Sequence, residues 1–312
     1  MDGLKFEPCY LKLGKEELKK RIKKAYKILE ECRLCPRECK ANRIKGEKGF
    51  CKSGALPLVS SFGPHFGEEP PLVGTHGSGT IFLTWCNLCC IYCQNYTISH
   101  LGGGREISLE EFASQMLSLQ KRGCHNINFV TPTHFVPQIL AALEIAIGKG
   151  LNVPLVYNTG GYDEIETLKL LDGVFDIYMP DIKYSDSENA ERYSSGASDY
   201  PQVVKEALKE MHRQVGDLVI ENGIAQRGLL IRHLVLPNNL AGTKEAMRFI
   251  AQELSKDSYV NVMAQYRPEY KAYEYPLLNR PPTAGEYREA LEMAKKEELH
   301  RFARDKIIFL WK

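Results

Sequence analysis

The sequence predicts an α/β protein: a partial (βα)6 TIM-type barrel preceded by a small N-terminal, cysteine-rich metal-binding module. Six short apolar stretches alternate with stretches of helical periodicity, and this alternation is typical of a parallel sheet. Six strand–helix units rather than eight indicate an incomplete barrel. Clustered cysteines precede the first of these strands. We therefore divide the chain into residues 1–74, for the N-terminal helix and module, and residues 75–312, for the barrel.

The predicted elements follow in chain order. Residues 14–31 carry leucine and isoleucine at helical spacing and predict an amphipathic helix. The predicted strands are residues 80–83, 126–130, 153–157, 176–179, 229–236 and 260–264. The predicted helices are residues 108–121, 139–147, 164–171, 201–215, 243–254 and 285–296, the first opened by a capping box at Ser108 and Glu111. Residues 307–310 are expected to add a strand or to pack across the barrel mouth.

Composition excludes several classes of function. The net charge of +2 gives no general attraction to nucleic acids or anionic membranes, and no basic patch with interleaved aromatic residues is present. No apolar run reaches the ~18 residues that span a bilayer. Residues 1–5 do not resemble the start of a signal peptide. Ten cysteines in such a chain indicate metal binding in a reducing cytoplasm rather than a disulfide scaffold.

Three cysteines directly follow the first predicted barrel strand. Cys86, Cys90 and Cys93 have the spacing C-x3-C-x2-C. Three thiolates this close can hold three irons of a cubane cluster and leave the fourth iron open, and an open coordination position is typical of a reactive metal centre. Cys89 creates two alternatives: the rival triplet Cys86, Cys89 and Cys93, and a closed zinc site formed by all four cysteines of a metal-stapled binding protein.

A second cysteine group lies in the N-terminal module. Its members, spaced C-x2-C-x3-C-x11-C, are Cys32, Cys35, Cys39 and Cys51. Four thiolates predict either a closed zinc site that stabilises a module lacking its own core or a second iron–sulfur cluster. Both metals fill four positions, so the number of ligands does not decide between them. Cys9 and Cys124 are isolated and are interpreted as ordinary thiols.

The Gly- and Pro-rich residues 60–71 predict a loop that leads from the module to the barrel. His65, Glu68 and Glu69 lie within it. We expect these three side chains on the surface of the protein; the alternative is that they face the active site.

The segment around Cys86, Cys90 and Cys93, with Tyr92 just before the third cysteine, resembles the radical S-adenosylmethionine (radical SAM) superfamily. This resemblance implies a 4Fe-4S cluster on the three cysteines and S-adenosylmethionine chelated to the open iron, with Tyr92 beside this cofactor site. It also implies an electron donor such as flavodoxin or ferredoxin. One electron would then split the cofactor into methionine and a 5′-deoxyadenosyl radical, which takes a hydrogen atom from the substrate. The superfamily's partial (βα)6 barrel agrees with the strand count.

The same resemblance assigns residues at the strand ends. Thr131, Thr133 and His134 stand where many members carry a Gly-Gly-Glu motif for the cofactor's amino group, and this chain departs from that motif. The residues Asn158, Thr159 and Gly160 resemble the Thr-Asn-Gly segment of glycyl-radical activating enzymes, which contacts the cofactor.

Two further strand ends carry charged residues. Asp181 and Lys183 resemble an Asp-x-Lys motif of the same activating enzymes, and residues two apart share a face of an extended chain. Arg232 and His233 resemble their basic residue near the methionyl carboxylate. Because adjacent residues point to opposite faces, one of the two faces inward, and we expect His233 to do so. Residues 265–268 are candidates for the substrate side or for contact with the adenine.

Taken together, the chain resembles iron–sulfur proteins described as putative pyruvate formate-lyase activating enzyme-like. The resemblance implies an oxidoreductase-type radical enzyme that abstracts hydrogen from a substrate. One version generates a glycyl radical on a partner protein. The other modifies a peptide, an RNA or a cofactor precursor. The non-enzymatic alternative is the zinc-stapled binding protein.

Overall fold

The computed structural model describes residues 6–303. Its strands form one extended sheet. In chain order they are β1 (Leu58–His65), β2 (Ser78–Leu83), β3 (Arg105–Glu106), β4 (Ile127–Val130), β5 (Leu155–Thr159), β6 (Ile177–Pro180), β7 (Val219–Glu221), β8 (Ile224–Leu234), β9 (Tyr259–Met263) and β10 (Arg301–Phe302). The order across the sheet is β10-β9-β8-β6-β5-β4-β2-β1-β3, and β7 pairs with β8.

The six predicted barrel strands correspond to β2, β4, β5, β6, β8 and β9. Neighbours in this set pair in parallel throughout. The fold class is therefore confirmed: an α/β protein with a partial TIM-type barrel and a cysteine-rich N-terminal region. A tenth strand, β10, extends the parallel part beyond β9.

Helices connect these strands along the chain. They are α1 (Cys9–Lys12), α2 (Lys15–Ile28), α3 (Pro70–Val73), α4 (Tyr96–Ser99), α5 (Leu109–Lys121), α6 (Val136–Gly148), α7 (Ile165–Lys169), α8 (Ser187–Tyr193), α9 (Tyr200–Val215), α10 (Thr243–Phe249) and α11 (Ala284–Lys296). A π-helical turn, Ile250–Leu254, continues α10. Within residues 6–303, no helix has both the length and the apolar character that crossing a membrane requires.

Two predictions are wrong in detail. Residues 60–71 are not a loop: β1 occupies Leu58–His65, and α3 follows. Gly63 and Pro64 concealed this strand, yet proline is tolerated in edge strands, and most of β1 pairs with β2 alone. The capping box of α5 is half formed, because Glu111 pairs with Arg105 and does not bond back to Ser108.

The division of the chain after residue 74 stays a prediction. Strand β1 lies before that boundary and pairs antiparallel with β2, so the sheet itself begins at residue 58. The predicted terminal segment 307–310 lies outside the described residues.

Each barrel strand buries both of its faces. The outward side chains pack against the helices in the large apolar cluster, as Phe129, Tyr157 and Ile231 do. The inward side chains form a second cluster, which Leu72 of α3 closes from below; it includes Val156, Ile177, Met179 and Leu230. This inner cluster fills the lower barrel and leaves the carboxyl ends of the strands open for a site.

Candidate active site

A cavity of about 370 Å³ opens at the carboxyl ends of the parallel strands. This is the end at which barrels of this type place their functional groups. The structure brings most of the residues proposed from sequence into its wall: Cys86, Cys90, Tyr92, Cys93, Thr131, Asn158, Thr159, Gly160, Asp181, Lys183 and Arg232. Their convergence from five separate segments of the chain makes this cavity the candidate active site.

The cysteine loop begins directly after β2. Trp85 and Cys89 have positive φ angles of 63° and 48°, a conformation uncommon for residues other than glycine. These two residues with positive φ turn the loop, and three of its four cysteines line the cavity. The loop is thus held in a specific, unfavourable backbone conformation, as is common at functional sites.

Each of the three cavity-lining sulfur atoms accepts one hydrogen bond. Cys86 Sγ accepts from the backbone N–H of Leu88 at 3.3 Å, Cys90 Sγ from the hydroxyl of Ser194 at 3.0 Å, and Cys93 Sγ from the hydroxyl of Ser99 at 3.1 Å. Donors directed at sulfur favour a thiolate, which is the form that binds metal. Ser194 could not be identified from sequence, because it belongs to no recognisable motif.

Cys89 points elsewhere. Its thiol donates to the backbone carbonyl of Cys86 at 3.1 Å and lies 3.9 Å from the carbonyl of Ser99. Cys89 therefore behaves as a hydrogen-bond donor, whereas the three cavity cysteines are acceptors. Burial, first, and the neighbouring Cys90 raise the pKa of Cys89 to about 11, but burial raises the pKa of Cys86 and Cys90 as well, so the direction of hydrogen bonding is what distinguishes Cys89. The arrangement favours the triplet Cys86, Cys90 and Cys93 over its rival.

The spacing of the sulfurs also bears on the kind of metal. Among the described residues, no three His, Cys, Asp or Glu side chains are gathered closely enough to hold one metal ion. Thiolates of a single tetrahedral zinc lie about 3.8 Å apart, given its Zn–S bonds of about 2.3 Å. Cysteines of a cubane bind separate irons and are spread more widely. Among the described residues, a closed zinc site at Cys86, Cys89, Cys90 and Cys93 is therefore not preformed.

Burial of the cysteines has an electrostatic consequence. It raises the pKa of the Cys86 thiol, and the adjacent Cys89 and Cys90 add to this effect. It also raises the pKa of Cys90, although Lys183 acts in the opposite direction. A metal that binds here must therefore displace protons from these thiols.

The opposite wall carries a buried ion network. Asp181 Oδ2 accepts from Lys183 Nζ at 2.7 Å, and Asp181 Oδ1 accepts from Arg232 Nε at 2.7 Å. Arg232 also donates to the side-chain oxygen of Asn158 at 2.7 Å. Burial alone would raise the pKa of Asp181, but the two cations hold it below its ordinary value. Burial alone would lower the pKa of Lys183, which Asp181 raises instead.

One carboxylate in this wall was missed. Glu68 Oε2 lies 3.7 Å from Arg232 Nη1, and Glu68 Oε1 lies 3.5 Å from Nδ1 of His65. The nearby Glu68 carboxylate raises the pKa of His65. Both residues line the cavity and Glu69 is buried, so the expected surface location of all three is wrong. Recognition of β1 as a strand adjacent to β2 would have placed them at the cavity.

Three residues assigned to cofactor binding do not reach the cavity. Thr133 donates to Asp163 at 2.7 Å beneath the strand ends. His134 is buried with Nε2 2.9 Å from the carbonyl oxygen of Thr84, and burial lowers its pKa to about 3. Both are structural, because the chain turns after Thr131 into a helical turn that carries them away from the opening.

His233 is the third of these residues. Its ring nitrogens lie 2.9 Å from the carbonyl oxygen of Ile182 and 2.9 Å from the hydroxyl of Thr243. The side chain thus faces the helices, and the neighbouring Arg232 faces the cavity. The expectation that His233 points inward is wrong. In the carboxyl half of β8, the inward-facing residues are Leu230, Arg232 and Leu234.

The backbone around the cavity is tightly constrained. Thr131 has a φ of 59°, which is strained for a β-branched residue, and its N–H donates to the carbonyl of Asn158 at 2.8 Å. Gly161 has a φ of 80°, and a Cβ there would lie 2.5 Å from the carbonyl oxygen of Asp181. Gln265 and Tyr266 complete the wall, whereas Arg267 is exposed and pairs with Glu269.

The chain matches one family model and two curated relatives. Residues 80–250 match the family model described as the radical SAM superfamily. The chain is 35% identical to an uncharacterized protein of Methanocaldococcus jannaschii, MJ0674, over 93% of this chain and 81% of that protein. A second uncharacterized protein of that organism, MJ0808, is 26% identical over 85% of this chain and 76% of that protein.

Solved structures share the fold. HydG, a maturase of the [FeFe]-hydrogenase, aligns with a TM-score of 0.53 at 13% identity, over 74% of this chain and 53% of that chain. At this identity the likeness concerns the fold alone.

Proposed function

This chain belongs to the radical SAM superfamily, and from that premise we propose that Cys86, Cys90 and Cys93 hold its 4Fe-4S cluster. Membership implies the cluster and S-adenosylmethionine as cofactors. When bound, they supply a reductive cleavage that yields methionine and a 5′-deoxyadenosyl radical able to abstract hydrogen. The observation that carries the assignment is the set of hydrogen bonds to sulfur: the three cavity cysteines each accept one, and Cys89 donates.

The charged wall is suited to the methionyl end of the cofactor. That end carries an ammonium, a carboxylate and a sulfonium, so recognition needs charges of both signs. Lys183 and Arg232 supply cations for the carboxylate, and Asp181, kept ionised between them, supplies an anion for the positive groups. The backbone at Gly160 and the amide of Asn158 supply uncharged partners on the same wall.

A reactive radical also requires a cavity from which water is excluded. Leu83, Leu88 and Leu234 contribute apolar surface to its wall, and the buried Tyr92 closes it beside Cys93. A cofactor bound between the cysteines and the charged wall would be enclosed on these sides and open toward Gln94 and Gln265. A substrate would enter from this open side.

We assign the substrate to the activating-enzyme class, in which a glycine of a partner protein loses hydrogen. Support comes from the Asn158–Gly160 and Asp181–Lys183 segments, which resemble those of glycyl-radical activating enzymes and which lie together in the cavity wall. The reaction consumes one electron per cleavage, so a flavodoxin or ferredoxin is the expected partner. A glycyl-radical EPR doublet on a candidate partner protein tests this assignment; a modified small molecule or RNA in its place would contradict it.

The reaction itself is tested by anaerobic reconstitution with iron and sulfide. We expect brown protein that contains at least four irons, as one cubane requires. After addition of dithionite and S-adenosylmethionine it should release 5′-deoxyadenosine and methionine in equal amounts. Colourless, zinc-loaded protein that leaves S-adenosylmethionine intact would contradict the proposal.

A further inference from the structure

Two of the four N-terminal cysteines, Cys32 and Cys35, have hydrogen-bond donors directed at their sulfurs. Cys32, Cys35 and Cys51 are buried, and Cys39 is exposed. The backbone N–H of Leu34 bonds to the sulfur of Cys32, and the backbone N–H of Arg37 bonds to the sulfur of Cys35. Each donor follows its cysteine by two residues in the chain. The side chain of Asn87, from the cavity loop, also bonds to the sulfur of Cys35. Such donors stabilise thiolates bound to a metal.

Arg43 is buried beside these cysteines without a carboxylate partner. It is 0% exposed, and its partners among the described residues are the carbonyl oxygens of Gly54 and His134 and, at 3.9 Å, the sulfur of Cys32. A buried cation normally requires a compensating negative charge. Thiolates that ligate a metal centre would supply that charge, because four of them outweigh the charge of the metal.

The module's backbone is folded tightly around its cysteines. Glu38, Lys40 and Lys52 have positive φ angles of 38°, 55° and 52°, although none is glycine. A Cβ at Gly49 would lie 2.1 Å from Cys39 Sγ, so only glycine fits there without displacement of the cysteine. A short segment with little core of its own gains the stability for such strained turns from a bound metal.

Arg37 connects this module to the active-site loop. Its guanidinium donates to the carbonyls of Asn87 at 2.8 Å, Ser195 at 2.9 Å and Ser194 at 3.0 Å. Ser194 is the residue whose hydroxyl donates to Cys90. Arg43 makes a second connection between the module and the cysteine loop. It donates to the carbonyl of His134, and the ring of His134 contacts Thr84, which lies just before that loop.

We propose that Cys32, Cys35, Cys39 and Cys51 hold a second iron–sulfur cluster, fully ligated by protein, and that Arg37 fastens it to the loop of Cys86, Cys90 and Cys93. Four thiolates are enough to ligate every corner of a cluster that the protein must hold, and zinc bound to the same four cysteines is the competing outcome of the test below. With four protein ligands the second cluster has no open iron, so it does not bind S-adenosylmethionine. The second cluster is a separate site and does not rest on the proposed reaction, whereas the role of Arg37 rests on the proposed cavity cluster.

The decisive variant removes the cavity cysteines and leaves the module intact. We expect the triple variant C86A/C90A/C93A, reconstituted anaerobically, to retain about four irons, the content of one cubane. Its reduced EPR signal should not change when S-adenosylmethionine is added. Adding C35A should remove this iron, whereas adding C124A, a buried thiol outside both groups, should not. A triple variant that binds zinc alone, or no metal, would overturn the proposal whether or not the C35A protein folds.

The fastening role of Arg37 has its own test in the otherwise unmodified protein. R37Q should release the iron of the cavity cluster to a chelator about tenfold faster, since charge-assisted hydrogen bonds to the loop are lost. The control is R33Q, because Arg33 lies in the same module but pairs with Glu31 on the surface. Equal release rates for R37Q and R33Q would show that Arg37 does not position the loop.

Discussion

Lys183 is the residue at which the proposed contact with the cofactor can be tested without disturbing the fold. Its ammonium pairs with Asp181, but Asp181 also pairs with Arg232, which has further partners in Asn158 and Glu68. Loss of Lys183 therefore leaves no buried carboxylate unpaired. Loss of Arg232 would remove three contacts at once and would confuse binding with stability.

We predict that K183Q weakens binding of S-adenosylmethionine by roughly 10- to 100-fold, the range expected for one hydrogen bond to a charged group. The dissociation constant of the reconstituted protein, measured by equilibrium dialysis, tests this. K169Q is the matched control, because Lys169 makes a similar 2.7 Å pair with Glu166 on the exposed surface. If K183Q and K169Q bind the cofactor equally well, Lys183 does not contact it.

At the scale of elements, β8 decides which basic residue serves the cavity. A strand presents alternate residues to opposite faces, so the sequence restricted the choice to Arg232 or His233. It did not reveal which face is inward, because both faces of a barrel strand are buried and both sets of neighbours are apolar. The parallel register with β9 and the pairing of Ile182 with Arg232 fixed the answer in the structure.

The buried position of His233 leads to a prediction about pH. Burial lowers its pKa from 6.5 to about 4, so the folded protein binds this proton less readily than the unfolded chain. Its contribution to stability is complete above pH 6.5 and is lost as the pH falls from 6.5 toward 4. At pH 5 the loss is about 2 kcal/mol.

The measurement compares wild type with H233N by urea denaturation at two pH values. Asparagine retains a hydrogen-bond donor for Ile182 but does not titrate. Relative to H233N, the wild type should lose about 2 kcal/mol of unfolding free energy between about pH 7.5 and pH 5. Parallel pH dependences of the two proteins would mean that His233 is not buried in its neutral form.

At the scale of the whole molecule, the barrel interior is divided into a filled base and an open top. Leu72 of α3 is fully buried in the inner cluster with Val156 and Leu230. Above this level the inward residues become polar, at Asn158 and Arg232. The short helix α3 thus closes the end of the barrel opposite the cysteine loop.

We expect L72A to lower the free energy of unfolding by about 2–5 kcal/mol, because truncation leaves a cavity in the barrel interior. The control is L101A, since Leu101 is 62% exposed, and its effect should stay within about 0.5 kcal/mol. Urea denaturation of both variants gives the comparison. A small effect of L72A would mean that α3 does not close the barrel.

The sequence was sufficient for the fold and for the cysteine loop, because alternating strands and helices and the cysteine spacing are local patterns. The sequence did not predict those features of the site that depend on contacts between residues far apart in the chain. Glu68 reaches Arg232 only because β1 folds back beside β2, and Gly63 and Pro64 obscured that strand. Ser194 reaches Cys90 across 104 residues, a contact that no local pattern encodes.

We propose that Cys86, Cys90 and Cys93, and not Cys89, hold the cluster that cleaves S-adenosylmethionine. The most direct measurement is 5′-deoxyadenosine formation by C90A and C89A after identical anaerobic reconstitution. We predict that C90A forms none above background and that C89A retains activity of the same order as wild type, since Cys89 bonds only to backbone carbonyls. An inactive C89A protein beside an active C90A protein would contradict this account.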